Sequence, residues 1–271
     1  MATDLAAKAR RFQELHAGPG AFVVANAWDA GSARMLASLG FPALATSSGA
    51  AAGTLGRRDG RITREEAIAH ARTVAAATDL PVSGDLENGF GDTPEDAAIT
   101  IRAAVGVGLC GGSIEDYSGR SLYSIDLAAT RIEAAVAAAR ASATPFVLTA
   151  RAENFIRGNP DLDDTIRRLK AYEAAGADVL MAPGLPDLDA VRKVCGSLAK
   201  PFNFMGGIKG RSFGVADLAA AGVRRVSLAT SLYRAAMTGL LTAAREVKET
   251  GSFGYLDTTL ATPEMNAFMQ D

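Results

Sequence analysis

Val82-Ser83-Gly84-Asp85-Leu86-Glu87-Asn88-Gly89-Phe90-Gly91 is a short apolar run that ends in two acidic residues, and Ser113-Ile114-Glu115-Asp116 repeats the pattern further along the chain. A carboxylate at the C-terminal end of a parallel strand is how a barrel enzyme presents ligands to a hard cation. The same carboxylates would equally cap the following helices or stand in solvent. The surrounding chain decides between the two.

Outward from that stretch, strand and helix patterns alternate about every 30 residues, the rhythm of a parallel βα sheet. Strands are expected at Ala21–Ala25, Ala43–Thr46, Val82–Gly84, Gly111–Ile114, Phe146–Thr149, Val179–Ala182, Phe202–Phe204 and Val226–Ala229. Alanine-rich helical patterns follow at Ala30–Leu39, Thr63–Ala77, Pro94–Val107, Leu127–Ser142, Asp163–Ala175, Leu188–Leu198, Gly214–Ala220 and Ser231–Glu249. Gly40, Gly108, Gly176 and Gly222 each stand where a helix must end in a left-handed turn before the next strand. Eight such units fit a (β/α)8 TIM barrel better than an open doubly wound sheet. No linker-like stretch divides residues 1–271, which therefore read as one domain. Residues 1–17 carry an N-terminal helix at Asp4–His16, placed to close the bottom of the barrel or pack on its side. Residues 251–271 form a tail with a short helical pattern, Glu264–Met269, whose scant polar face calls for cover by a partner subunit.

Composition excludes several function classes. The chain has 271 residues, 48% hydrophobic and 21% charged, with a formal net charge of -2. Its charges are interspersed, with no basic stripe, so no nucleic-acid partner is expected. No apolar run reaches the roughly 18 residues of a membrane span, and Met1-Ala2-Thr3-Asp4-Leu5 lacks the features of a signal peptide, so a cytoplasmic location without a membrane partner is expected. Cys110 and Cys195 lie far apart without CxxC spacing and read as small buried hydrophobes.

In a barrel the site lies at the C-terminal ends of the strands. Those ends read Asn26-Ala27-Trp28-Asp29, Thr46-Ser47-Ser48-Gly49, Asp85 with Glu87, Glu115-Asp116, and Arg151-Ala152-Glu153-Asn154 for the first five strands; the last three are poorer in charge. Carboxylates around one arginine suit a divalent ion that chelates a 2-oxo or 2-hydroxy acid and stabilises an enolate. Arg151 would clamp a substrate carboxylate bidentately, and amides around Ser47-Ser48-Gly49 would bind its remaining oxygens. Arg151 would equally pair only with Glu153, and the serines only cap a turn. Asn203, on the seventh strand, joins Trp28 as a substrate-binding candidate. A phosphate site at Met205-Gly206-Gly207-Ile208-Lys209-Gly210-Arg211-Ser212 with Arg224-Arg225 is a further alternative, weakened because the two arginines fall at the strand's entry end.

At these residues the chain resembles the isocitrate lyase and phosphoenolpyruvate mutase superfamily. Asn26–Arg34, Ala45–Gly49, Asp85–Gly91, Ser113–Asp116 and Ala150–Glu153 are similar to its successive signatures, from about Gly18 to Arg245. The resemblance implies an α/β barrel that exchanges its last helix between subunits of a homodimer or homotetramer. It also implies Mg2+ or Mn2+ and a small-molecule carboxylate substrate. By the same resemblance Asp85 is the direct metal ligand, Glu87, Glu115 and Asp59 hold the ion through water, Ser47, Ser48 and Gly49 cradle the substrate carboxylate, and Arg151 and Trp28 lie against the substrate.

The departures narrow the chemistry. Superfamily lyases that cleave isocitrate or methylisocitrate carry a Lys-Lys-Cys-Gly-His type loop after the fourth strand, whereas here Tyr117–Asp126 contains no Lys, Cys or His. A thiol mechanism is therefore not expected, and the lysine and asparagine of the phosphomutase loop are missing as well. His16 and His70 fall away from the mouth, which leaves Tyr117, Tyr123, Arg120, Glu153 or a metal-bound water for proton handling beside the clamp Arg151. Gly119 and the loop serines suggest a lid that closes over substrate. Three functions remain open: a Mg2+-dependent C–C lyase acting on a 2-oxo or 2-hydroxy di- or tricarboxylate, a C–P bond enzyme on the same platform that uses Arg120, and a silent metal-dependent carboxylate binder.

Overall fold

The computed structural model describes residues 4–269. Parallel strands β1 (Phe22–Asn26), β2 (Ala43–Ala45), β3 (Val82–Asp85), β4 (Gly111–Glu115), β5 (Val147–Arg151), β6 (Val179–Met181), β7 (Phe202–Met205) and β8 (Arg225–Ser227) pair in chain order and close into a barrel through β8 on β1. The helices are α1 (Leu5–Ala17), α2 (Ala30–Ser38), α3 (Ser48–Thr54), α4 (Arg64–Ala76), α5 (Pro94–Gly106), α6 (Ile125–Arg140), α7 (Leu162–Ala174), α8 (Leu188–Gly196), α9 (Val215–Ala220), α10 (Ser231–Thr250) and α11 (Thr262–Ala267). This is the (β/α)8 barrel read from the sequence. The glycines at 40, 108, 176 and 222 all have positive φ, between 82° and 96°, so each helix-to-strand turn has the left-handed residue its sequence supplies. Capping boxes at Asp29/Ser32, Thr63/Glu66 and Thr93/Asp96 start α2, α4 and α5.

Two differences have local causes. Helix α3 lies where the sequence shows no amphipathic period: Ser-Gly-Ala-Ala-Ala-Gly-Thr consists of small residues, and its start is set by the Ser47 hydroxyl accepting from the Ala50 N–H. Strand β8 begins one residue earlier than expected and ends at Ser227, since Ala229 turns to φ 51. No helix among the described residues is long and apolar enough to cross a membrane.

The bottom of the barrel is closed by α1. Ala9 and Phe12 are fully buried against Val24, Ala43, Val147 and Val179. Glycine at 111 makes room for this plug, because a Cβ there would stand 2.8 Å from Phe12 Cε1 and 2.7 Å from the Val147 carbonyl. The top of α10 touches the barrel where Tyr233 meets Trp28 edge to face at 5.6 Å. No residue of α10 is buried, and Leu240 and Leu241 are 60% and 52% exposed.

His16 sits beneath the barrel. Its Nδ1–H donates to the Phe12 carbonyl at 2.7 Å, and its Nε2 faces Arg225 Nη1 at 3.3 Å, so the ring is neutral and accepts from the guanidinium. Burial and the charge of Arg225 push its pKa down to about 3. The unfolded chain takes up this proton near pH 6.5 and the folded chain does not, so stability is complete above that pH and falls as pH drops through the window from 6.5 to 3. Denaturation midpoints are expected to show a loss of roughly 2 kcal/mol from this group by pH 5. The loss disappears in His16→Gln. An unchanged pH slope in that variant would show that the histidine does not titrate in this way.

Candidate active site

The ends of β3, β4 and β5 meet at one mouth because parallel neighbours in register finish together: Glu115 pairs with Arg151, and Asp85 with Ser113. Arg151 is 9% exposed and ringed by carboxylates. Its Nη1 donates to Asp85 Oδ1 at 2.9 Å, its Nε and Nη2 to Glu153 Oε1 at 3.1 and 2.8 Å, and Nη2 stands 3.3 Å from Glu115 Oε2. Burial alone would lower its pKa, but Glu153, Glu115 and Asp85 outweigh that and hold it charged above the ordinary arginine range. Burial, followed by repulsion from Glu153, raises Glu115 well above the usual carboxylate range, although Arg151 opposes the shift.

Asp85 is held from the other side. Its Oδ2 accepts the Ser48 N–H at 2.9 Å at the start of α3, and its own N–H donates to Thr46 Oγ1 at 2.9 Å. After β3 the chain passes through three left-handed residues, Glu87 (φ 49), Gly89 (φ 84) and Phe90 (φ 58). Two are not glycine, a backbone cost that sites tolerate when it aims a side chain. Glu87 Oε1 is buried without a hydrogen-bond donor. Its carboxyl is pushed up to about 7 by burial and then by Asp85 and Asp59, with Arg151 and Arg157 opposing. Glycine at 49 lets Asp59 approach, since a Cβ there would lie 3.1 Å from Asp59 Oδ2 and 2.8 Å from Thr230 Cγ2.

These groups surround a cavity of about 1160 Å³ that runs from the mouth into the barrel. Of the residues expected from sequence, Ser47, Ser48, Asp59, Asp85, Glu87, Glu115, Tyr117, Arg120 and Arg151 line it. Trp28, Gly49, Tyr123, Glu153 and Asn203 do not. Trp28 packs on Tyr233, and its carbonyl accepts from His70 Nε2 at 2.8 Å. Glu153, fully buried, is the support for Arg151 and Arg157. Tyr123 is buried rather than free on a lid: its hydroxyl donates to Asp92 and accepts from Asn88 Nδ2 at 3.0 Å, and burial with the Asp92 bond raises it to about 12. Asn203, also fully buried, donates to Ser227 Oγ at 3.0 Å and accepts from Arg225 Nε at 2.7 Å inside the barrel. Asp116 is a structural anchor, accepting from Arg168, Tyr172 and the Glu153 N–H.

The loop after β4 is a small bonded turn. Ser118 N–H donates to the Ser121 carbonyl at 2.9 Å, and Tyr117 and Leu122 form an antiparallel bridge. Arg157 went unread in the sequence. It follows Glu153 by one helical turn in Asn154–Arg157, contacts Glu153 Oε2 at 3.0 Å and Glu115 Oε1 at 3.6 Å, and lies 4.1 Å over the Tyr117 ring. The i,i+4 acid and base pair was its only local sign. The alternative phosphate residues are dispersed: Lys209 and Arg211 are not on the cavity wall, Arg211 Nη1 donates to the Gly184 carbonyl, and Arg224 bonds the Gly20 carbonyl. Cys110 is buried as expected, whereas Cys195 is only half-buried, and neither lines the cavity.

The donor set has the chemistry of a hard-cation site. Asp59, Asp85, Glu87 and Glu115 face one cavity, with one buried oxygen lacking a donor and a carboxyl raised by burial and then by its neighbours' charge. Among the described residues no three such groups close into a preformed cluster.

Residues 12–248 match the family model of phosphoenolpyruvate phosphomutase. A crystal structure from Burkholderia cenocepacia J2315, provisionally described as a lyase/mutase, superposes with a TM-score of 0.96 at 47% identity over 98% of this chain and 97% of that one. Protein Rv1998c of Mycobacterium tuberculosis H37Rv, which has no assigned function, is 33% identical over 88% of this chain and 89% of its own length. Oxaloacetate decarboxylase 2 of Pseudomonas fluorescens Pf0-1 is 29% identical over 94% and 87% of the two chains. With its closed barrel and the carboxylates at its strand ends, the chain belongs to the phosphoenolpyruvate phosphomutase family, within the isocitrate lyase and phosphoenolpyruvate mutase superfamily of lyases and mutases.

Proposed function

We propose that the protein is a Mg2+-dependent lyase that breaks a C–C bond in a small 2-oxo or 2-hydroxy di- or tricarboxylic acid by way of an enolate. The observation that carries this reading is Arg151, charged and buried among Asp85, Glu115 and Glu153 at the wall of a cavity that Asp59 and Glu87 also face. The likeness to an oxaloacetate decarboxylase supports C–C chemistry. Asp85 would hold the ion, with Glu87, Glu115 and Asp59 orienting its waters, and the bound ion supplies electrophilic stabilisation of the enolate oxygen. Arg151 binds a substrate carboxylate through its planar fork, with Ser47 and Ser48 on the same cavity wall. Glu153 keeps the guanidinium in place. Of the candidate proton-handling groups away from the carboxylate shell, Tyr117 and Arg120 reach the cavity; the Tyr117 hydroxyl is the one able to return a proton to carbon. The Tyr117–Arg120 turn excludes water from that step.

Arg120 on the cavity wall favours one second reading, a C–P bond enzyme whose substrate phosphonate it would position. The test is release of 2-oxo acid from oxaloacetate, 2-methylisocitrate, dimethylmalate and phosphonopyruvate, with Mg2+ and with EDTA. Metal-dependent turnover of a carboxylate substrate is expected. Turnover of phosphonopyruvate alone would select the second reading, and silence with Mg2+-dependent oxalate binding would leave a carboxylate-binding barrel. We further infer a homodimer or homotetramer in which a second copy covers the exposed Leu240 and Leu241 face of α10. Light scattering that returned a monomer would remove that part.

A further inference from the structure

One buried cation belongs to none of these roles. Arg225, 4% exposed, projects from the first position of β8 across the barrel interior, and its Nη2 donates to Thr149 Oγ1 on β5 at 2.8 Å. Its other contacts are Asn203 Oδ1 at 2.7 Å and His16 Nε2 at 3.3 Å. All three acceptors are neutral, and the guanidinium has five N–H donors. Among the described residues no carboxylate lies within ion-pair distance of it, whereas Arg151 has three and Arg168 two. Burial pushes its pKa down to about 9. Arg131, also buried without an ion pair, differs: its guanidinium is wrapped by the carbonyls of Asn88, Gly91 and Thr93, lies over the Tyr123 ring, and does not reach the large cavity. Arg225 does line that cavity, together with Ser83, Ser113 and Ser227. Ser113 is the register partner of Thr149, and Ser227 accepts from Asn203, so these hydroxyls share the interior face with the groups that hold the guanidinium.

We infer that the barrel interior holds an anion subsite, with the free donors of Arg225 and the neighbouring serine hydroxyls binding one small, singly charged anionic group beneath the mouth. A desolvated guanidinium held only by neutral acceptors lowers its energy by taking a counter-charge, and the cavity provides the way in. Two sources supply that chemistry: a free halide, or the distal carboxylate of a bound substrate. The site holds its anion whatever reaction the mouth performs, so loss of the lyase reading leaves it standing.

The first arm replaces sodium gluconate by sodium chloride at fixed ionic strength and follows Tm, with bromide soaked into crystals. A saturable chloride-specific rise in Tm, and an anomalous bromide peak at hydrogen-bond distance from Arg225, are expected for a free halide. The second arm compares protection by malate and by oxalate, which lacks a distal carboxylate, in wild type and R225M. Malate protection lost in R225M with oxalate protection kept assigns the site to the substrate's carboxylate. No halide effect, no bromide peak at Arg225 and equal malate protection in both proteins overturn the inference. If R225M does not fold, the wild-type bromide map and competition between chloride and malate, but not oxalate, decide it.

Discussion

Arg151→Met is expected to destabilise the protein by about 3–5 kcal/mol, the usual cost of removing one partner from a buried ionic network. Asp85, Glu115 and Glu153 all contact this guanidinium, and Glu153 is fully buried. Without the arginine, the negative charges that remain repel one another with little solvent to screen them. Glu115, already raised by burial and by Glu153, would take up a proton at higher pH still. A second change, Glu153→Gln in the Arg151→Met background, removes one of the mutually repelling charges and should recover part of the loss. Urea denaturation of the two variants measures both effects. A loss below about 1 kcal/mol, the level of a surface ion pair, would mean the mouth is better hydrated than its packing indicates. Activity should vanish in both variants, since the substrate clamp is gone.

Asp85→Asn is expected to lower turnover by at least about 10³-fold, the scale of losing several kcal/mol of transition-state charge stabilisation. Its stability should change far less than that of Arg151→Met, because Arg151 keeps Glu115 and Glu153. Binding of Mn2+, followed by its electron paramagnetic resonance signal, separates two explanations. Weakened Mn2+ binding marks Asp85 as a ligand. Full Mn2+ affinity with lost turnover would instead restrict Asp85 to holding Arg151 and the Ser48 amide.

Much of this architecture was legible in the chain because its causes are local. A helix that ends in a left-handed turn needs glycine, and Gly40, Gly108, Gly176 and Gly222 announce themselves. A parallel strand that ends in a carboxylate places it at the mouth whatever the details of packing, so Asp85, Glu115 and Arg151 could be read together from strand ends. Helix α3 escaped because small residues carry no period, and its start depends on one serine hydroxyl.

Depth and partnership were not legible. In Phe202-Asn203-Phe204-Met205, the alternation of a strand turns Asn203 and Met205 to the same face, but only barrel tilt and stagger decide that Met205 reaches the cavity while Asn203 lies behind Arg225. Tyr123 read as a lid residue until Asp92 and Asn88 enclosed its hydroxyl. Arg225 read as a charge at a strand entrance, and its partner His16 lies 209 residues away in sequence. The eight βα units and the charges that crown the strands follow from the order of residues alone, because turn chemistry and strand direction act over a few residues. Which charges share a desolvated space follows from the folded barrel instead, because burial and pairing depend on its closure, which brings distant segments into one interior.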